Sequence, residues 1–234
     1  MLTLSIRDVL PATPRARILR VDLDEQAFEY LAGQAVLIAT HGYEKRRPYS
    51  ISSAPEDAKQ SRAIELLIGV DANGFAGPHL TLEPGTRVDV EGPLGTFTFP
   101  PDPVEPRFIF IAGGTGIAPL RAMLRHALAI PHRAIGLFYS ARTPDEFAYK
   151  TELQRLARRN LIALTLTMTG GLREDADDAW RGERGRISAS RLAQALPAPD
   201  PLCFICGPPA LVDDVPPLLL QLGVKSARIR TEEW

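Results

Sequence analysis

The sequence predicts a chain of two parts, an N-terminal antiparallel β-barrel followed by an α/β domain with a doubly wound parallel sheet. Up to residue 99, apolar and polar side chains alternate with a period of two, which is typical of half-buried strands. Residues 100–106 then include four prolines, which can continue neither a sheet nor a helix. From residue 107, short apolar runs alternate with helical spacings, as in repeated βα units. We therefore expect domains at 1–101 and 107–234, joined by a proline-rich linker at 100–106.

The strands of the first domain are predicted from its alternating apolar positions. They fall near residues 19–23, 36–38, 64–70, 88–90 and 97–99. Turn residues separate them at 54–57, 72–74, 84–85 and 92–93. Several short strands at this spacing are typical of a small antiparallel barrel, and no long amphipathic helix is expected among them.

The second domain opens with a strand, a glycine turn and a helix. Residues 108–111 are an unbroken apolar run, as in a strand buried on both faces. Residues 113–116 (Gly-Gly-Thr-Gly) then turn the chain, and Pro119 falls in the expected first turn of a helix. Such a turn lets a diphosphate approach the backbone at a helix N-terminus. A tight turn without a ligand is the alternative, because short glycine turns are common, and Pro119 occupies the place of the third glycine in the usual pattern.

The rest of the second domain continues the alternation of strands and helices. We expect strands at 134–139, 161–168, 202–206 and 227–234. Helices are expected at 144–159, with Thr143 as N-cap, at 188–196, and at 208–222, the last interrupted near Pro216 and Pro217. Residues 170–185 read as a polar, acidic loop.

Composition excludes several classes of function. A net charge of −1 offers no attraction to nucleic acid or a membrane surface, and no apolar run is long enough to span a membrane. The N-terminus lacks the pattern of a signal peptide, so a cytoplasmic protein is expected. Two cysteines cannot ligate an iron–sulfur cluster alone. Cys203 and Cys206 lie three apart on a predicted strand and point to opposite faces, so neither a redox dithiol nor a metal site is expected.

A candidate site precedes the turn residues at 54–57, in the segment Arg-Pro-Tyr-Ser at residues 47–50. The guanidinium of Arg47 could pair with phosphate oxygens, and Tyr49 would share its strand face while Ser50 points the other way. The alternative is a solvated basic turn that leads into a strand.

Together, these motifs resemble the ferredoxin–NADP reductase superfamily. The resemblance combines residues 47–50, the proline-rich joint and the glycine turn at 113–116 in one order. It extends to residues 204–209 (Phe-Ile-Cys-Gly-Pro-Pro), 92–95 (Gly-Pro-Leu-Gly) and the ending Glu-Glu-Trp. It implies an NAD(P)H-dependent flavoprotein reductase, in which the barrel binds FAD and the α/β domain binds the nicotinamide dinucleotide.

The resemblance also implies roles for residues of the flavin domain. Arg47, beside Pro48, would bind the flavin pyrophosphate, Tyr49 would pack on the isoalloxazine, and Ser50 would hydrogen-bond near flavin N5. A second loop usually reads Gly-x-x-Ser in this family, whereas this chain has Gly74, Phe75, Ala76 and Gly77. A glycine still offers a backbone N–H, so FAD is expected, with FMN as the alternative.

Further roles follow for the nucleotide domain. Gly113, Gly114, Thr115 and Gly116 would cradle the diphosphate of the dinucleotide. Cys206 would lie beside nicotinamide C4, in a pocket shaped by Gly207 and Pro208. Glu232 or Glu233 would assist proton or hydride movement, and Trp234 would cover the other flavin face.

The choice between NADPH and NADH stays open at this stage. Arg142 is suitably placed for a ribose 2′-phosphate and Arg173 could help, but the acidic loop at 170–185 argues against a phosphate.

The resemblance further implies that the protein would pass electrons singly to a separate ferredoxin, flavodoxin or oxygenase component. Direct reduction of free flavin, quinone or ferric chelates is one alternative. An electron-entry or nucleotide-sensing subunit, active only within a complex, is another.

Overall fold

A computed structural model describes residues 1–170, 180–195 and 201–233 of the chain. It divides into two compact units. The first comprises Met1–Pro101 with Arg121–His126, and the second comprises Asp102–Leu120 with Ala127–Trp234. The first unit contains an antiparallel sheet and the second a parallel one, which confirms the predicted fold class. The exact domain boundaries at 101 and 107 remain a prediction.

The first unit is a six-stranded antiparallel barrel. Its strands lie in the order β4-β3-β6-β1-β2-β5, and a bridge between Ile51 and Leu66 joins the two outer strands. Apolar side chains that alternate along the strands, such as Leu19 and Val21, fill the interior. The strands are β1 (Leu2–Thr13), β2 (Ala16–Asp22), β3 (Ala35–Thr40), β4 (Arg47–Ser50), β5 (Ala63–Gly69) and β6 (Arg87–Leu94).

Two local predictions for this unit are wrong. Phe97 and Phe99 alternate and are buried, but they lie in an irregular segment, where the Phe99 N–H donates to the carbonyl of Ala32. Residues 54–57, expected as a turn, instead begin helix α1 (Pro55–Ser61). Proline at its first position and the carboxylate of Asp57, which accepts the Ala54 N–H, suit a helix start as well as a turn.

The second unit is a six-stranded parallel sheet in the order β10-β9-β8-β7-β11-β12. The chain runs outward from β7 to one edge and then returns to build β11 and β12 on the other side of β7. The order therefore reverses between β7 and β11, and such a switch point is where open α/β sheets bind ligands. The strands are β7 (Arg107–Gly113), β8 (Ala134–Ala141), β9 (Ala163–Met168), β10 (Glu183–Arg184), β11 (Leu202–Gly207) and β12 (Ile229–Glu233).

The helices of this unit differ from the predictions at two points. They are α2 (Ile117–Ala129), α3 (Lys150–Arg158), α4 (Ala189–Ala195) and α5 (Pro209–Gln221). The predicted start of a helix at Pro144 is wrong: α3 begins after Tyr149, whose left-handed φ of 59° cannot belong to a helix. The predicted interruption of α5 is also wrong, because the helix continues through Pro216 and Pro217 while Val215 and Leu219 stay buried. None of the described helices has both the length and the apolar character of a membrane span.

Candidate functional site

Strand β4 presents the first group of predicted site residues. Arg47 and Pro48 are exposed, Tyr49 is half-buried, and Ser50 is only 2% exposed. The hydroxyl oxygen of Ser50 is buried and has no hydrogen-bond partner in the described parts of the chain. A buried hydroxyl without a partner is costly. Ser50 is therefore suited to a bound polar group.

A histidine that the sequence analysis did not single out holds Tyr49. The Tyr49 hydroxyl lies 3.0 Å from Nε2 of His79, and the two rings are nearly parallel, with centroids 5.9 Å apart. His79 is 2% exposed. Burial, helped by the positive charge of Arg47, lowers the pKa of His79, and burial raises the pKa of Tyr49. Both side chains are therefore uncharged near neutral pH, and the contact fixes the orientation of the tyrosine ring.

The second predicted flavin loop, residues 74–77, approaches the ring of His79 at its C-terminal end. Gly77 adopts a φ of +112°, and a Cβ there would lie 3.1 Å from Nδ1 of His79. At the other end a Cβ at Gly74 would approach the guanidinium of Arg17 instead. Between them Ala76 packs on the barrel core, while Phe75 is exposed. The structure thus brings Gly77, rather than the whole loop, next to His79, the residue that contacts Tyr49.

These residues fit a flavin nucleotide. The hydroxyl of Ser50 and Nδ1 of His79 are both buried polar atoms without a described partner. Arg47 is exposed and forms no ion pair with any carboxylate that the structure describes. The site would thus offer a cation, a hydroxyl and an imidazole to a ligand with phosphate and ring polar atoms. Within the same described residues, no cluster of three or more His, Cys, Asp or Glu could hold a metal ion.

The second group of predicted residues borders a cleft of about 380 Å³ in the second unit. The cleft lies where β7 and β11 end, at the switch point of the sheet. It is lined by Gly113, Gly114, Thr115, Ser140, Ala141, Arg142, Glu146, Thr169, Arg186, Ile187, Pro208, Ala210, Leu211, Asp214 and Val215.

The glycines at this cleft have two different tasks. A Cβ at Gly116 would lie 2.3 Å from the carbonyl oxygen of Cys206, and one at Gly113 would lie 2.7 Å from Cδ of Pro208. A Cβ at Gly207 would approach the backbone of Gly113 to 3.0 Å. These three glycines let the turn after β7 pack against the end of β11. Gly114 differs: it is exposed, has open space around it and adopts a φ of +54°, so it keeps the backbone accessible.

Two helix N-termini begin at the cleft. The turn Gly114–Gly116 leads into α2, and Pro208 is the N-cap of α5. Both helices are 13 residues long, and neither has an acidic residue in its first turn. Their positive dipole ends and free N–H groups are therefore not neutralised locally, which favours an anionic ligand such as a diphosphate.

Two arginines line the same cleft. Arg142 is exposed and has no carboxylate partner among the described residues, although Glu146 also lines the cleft. Arg186, which the sequence analysis missed, pairs with Asp214 at 2.9 Å, and both side chains are exposed. One arginine among many gives no sequence signal, so only the fold places Arg186 here. Arg173 lies outside the described residues.

Cys206 and Glu232 lie side by side, because β11 and β12 pair them in register. Cys206 is completely buried, and burial raises the pKa of its thiol, with the Glu232 carboxylate as a smaller cause. Burial also raises the pKa of Glu232 to about 7, and its Oε2 has no described partner. Glu233 pairs with Gly207 and is exposed. Trp234 lies outside the described residues, and the catalytic roles of all these side chains remain predictions.

Each of the two units matches a known protein family. The oxidoreductase FAD-binding domain family matches residues 5–99, and the oxidoreductase NAD-binding domain family matches residues 110–216. A relative from Sorangium cellulosum named ferredoxin–NADP reductase B is 34% identical over 97% of this chain and 94% of its own length. NADH-cytochrome b5 reductase 2 of Scheffersomyces stipitis is 32% identical over 70% of the chain, which spans 55% of that protein.

A solved structure shares the architecture. The FAD/NAD-binding domain of a nitric oxide dioxygenase from Vibrio cholerae matches with a TM-score of 0.81 and 21% identity, covering 99% of this chain and 98% of that one. At this identity the similarity concerns the fold alone.

Proposed function

The chain belongs to the ferredoxin–NADP reductase superfamily and is a FAD-dependent NAD(P)H oxidoreductase, and from this premise we propose that it delivers electrons singly to a separate acceptor protein. The acceptor we propose is a ferredoxin, a flavodoxin or an oxygenase component. The relative named ferredoxin–NADP reductase B supports this choice, since it aligns with both units of the chain.

One observation carries the choice of a separate acceptor. Cys203 and Cys206, the two cysteines of these 234 residues, are both free and buried in β11. Burial raises the pKa of Cys203 to about 12 and that of Cys206 further, so neither is a thiolate available to ligate iron. These residues cannot hold an iron–sulfur cluster through cysteine. An iron–sulfur acceptor would therefore lie outside these 234 residues, which supports the proposal of a separate acceptor.

In the first unit, side chains would bind and orient the flavin. Bound FAD supplies two-electron acceptance from the nicotinamide and one-electron release to an acceptor. Arg47 would pair with its phosphate oxygens, the ring of Tyr49 would pack against the isoalloxazine, and Ser50 would donate to a ring nitrogen. The contact between Tyr49 and His79 holds the tyrosine ring in one orientation. Little side-chain entropy would then be lost on binding.

In the second unit, the cleft would bind the dinucleotide. The N-termini of α2 and α5 would face its diphosphate, and Gly114 leaves the backbone open to that group. Arg142, the lining arginine without a described carboxylate partner, supports a contact to a 2′-phosphate and so favours NADPH over NADH. Arg186 would add to the positive charge once it leaves Asp214.

Near the end of β11, Cys206 would provide a neutral surface beside the reacting groups, and Glu232 would hold or release a proton there. The buried thiol of Cys206 stays neutral and presents a small, polarizable surface rather than a charge. Glu232, with a pKa of about 7, can hold a proton at its carboxyl or release it near neutral pH. This pair therefore supports a role for Glu232 in moving a proton, as the resemblance implies.

A steady-state assay of the purified protein tests the proposal. With NADPH and ferricyanide, the protein should turn over without any partner. With one-electron carriers, ferredoxin and flavodoxin should be reduced at a higher kcat/KM than free flavin, quinone or ferric chelates. The reverse order would favour a direct reductase of small molecules. Absence of turnover with ferricyanide, despite bound FAD, would favour a subunit that is active only in a complex.

A further inference from the structure

His79 has a ring nitrogen that no described residue satisfies. The imidazole is 2% exposed, and its Nε2 lies 3.0 Å from the hydroxyl oxygen of Tyr49. Its other nitrogen, Nδ1, is buried and has no hydrogen-bond partner in the described parts of the chain. A buried polar atom without a partner costs stability, and in native proteins such atoms are rare. Nδ1 of His79 is therefore suited to a hydrogen bond with a bound polar group.

Two tautomers of His79 are compatible with its contact to Tyr49. Burial, with the charge of Arg47, lowers the pKa of His79, so the ring is neutral and has one donor and one acceptor nitrogen. Burial raises the pKa of Tyr49, which therefore keeps its proton, and its hydroxyl can either donate to Nε2 or accept from an Nε2–H. When Tyr49 donates, the hydrogen of the imidazole resides on Nδ1. In that tautomer the unsatisfied atom is a donor.

The surroundings of Nδ1 favour an anionic acceptor. Gly77 lies against this edge of the ring, where a Cβ would be 3.1 Å from Nδ1, so at this position the loop brings backbone and no side chain to the nitrogen. Arg47 and Tyr49 lie two residues apart on β4 and therefore share a strand face, and Arg47 has no ion-pair partner within residues 1–170, 180–195 and 201–233. A negatively charged oxygen would accept a hydrogen bond from Nδ1–H of His79 and would also attract the guanidinium of Arg47. A phosphate is such a ligand.

We propose that His79 binds the flavin cofactor directly, its Nδ1–H donating a hydrogen bond to a phosphate oxygen of FAD while its Nε2 accepts from Tyr49. One side chain would thus orient the tyrosine that packs on the flavin ring and bind the phosphate chain. The imidazole would supply the contact that Gly77, without a side chain, cannot make. The proposal rests on FAD binding by the first unit.

Two substitutions separate the two nitrogens of His79. His79→Gln places an amide near the position of Nε2 and can still bond Tyr49, whereas His79→Asn places one near Nδ1. Each apoprotein is titrated with FAD, FMN and riboflavin, which lacks phosphate, and binding is followed by flavin fluorescence. We expect His79→Gln to weaken FAD and FMN binding by roughly 10- to 150-fold, the loss of a charge-assisted bond, and to leave riboflavin binding unchanged. His79→Asn should retain most of the FAD affinity.

The control is His132→Gln, in the second unit, which should bind all three flavins as the wild type does. If His79→Gln weakens all three flavins equally, His79 acts only through packing and the proposal is wrong. A wild-type protein that binds no flavin would instead overturn the proposed function, and this proposal with it.

A second measurement observes the histidines of the wild-type protein directly. Nitrogen-15 NMR of the FAD-bound wild-type protein reports the tautomer of each of its four histidines, with His79→Asn used to assign the signal. We expect His79 to be neutral with its hydrogen on Nδ1. A hydrogen on Nε2 would leave Nδ1 an acceptor, unable to donate to phosphate, and would refute the proposal.

Discussion

The raised pKa of Glu232 predicts how stability depends on pH. In the folded chain this carboxyl has a pKa of about 7, against an ordinary value of 4.5, because burial disfavours its charged form. Between these values the folded state holds a proton that the unfolded state has lost. The contribution of Glu232 to the free energy of unfolding therefore falls as pH rises from 4.5 through 7, and stays low above 7.

The magnitude follows from the same two values. For a fully buried group, the gap corresponds to at most about 3 kcal/mol. Glu232 is only partly buried, and screening by solvent reduces the expected effect to about 1–2 kcal/mol. The variant Glu232→Gln is neutral at every pH and lacks this dependence. Relative to the wild type, its stability should therefore rise by about 1–2 kcal/mol between pH 4.5 and pH 8.

Urea denaturation of the FAD-saturated protein at a series of pH values measures this difference. Glu233→Gln is a matched control, because Glu233 is the next residue of β12 and is exposed. Its stability should follow the wild-type profile. If Glu232→Gln and the wild type keep a constant difference across the pH range, Glu232 is not a carboxyl whose charge is suppressed by burial, and its proposed part in proton movement loses its support.

Three further predictions concern the second unit and the C-terminus. Arg142→Ala should cost about 1.5–3 kcal/mol of NADPH binding and leave NADH binding nearly unchanged, as titration of both nucleotides would show; equal small losses would place Arg142 outside the 2′-phosphate site. Cys206→Ala should slow stopped-flow flavin reduction severalfold with flavin content intact, whereas a lower melting temperature with normal reduction would make Cys206 a structural thiol only. Removal of Trp234 should tighten nicotinamide binding and slow turnover through product release; weaker binding would contradict the predicted gating role.

Some site residues could be found from the sequence and others could not. Arg47, Tyr49 and Ser50 lie within four consecutive residues, so the sequence motif alone identifies them as site candidates. His79 lies 30 residues from Tyr49 along the chain, and the contact forms only when the barrel brings β4 beside the segment that contains His79. A single histidine after a loop carries no pattern of its own. The same reason hid Arg186, which lies 44 residues after Arg142 in the chain but lines the same cleft.

The sequence by itself determined the fold class and the order of its elements. Burial of apolar side chains imposes a period of two on the strands and of 3.6 on the helices, and prolines interrupt both. The start of α3 and the continuity of α5 depended on tertiary packing, which overrides local preference at helix ends and at prolines. The raised pKa of Glu232 and the unsatisfied nitrogen of His79 also come from packing. Both arise because groups distant in the chain exclude water from them, and no local pattern encodes that exclusion.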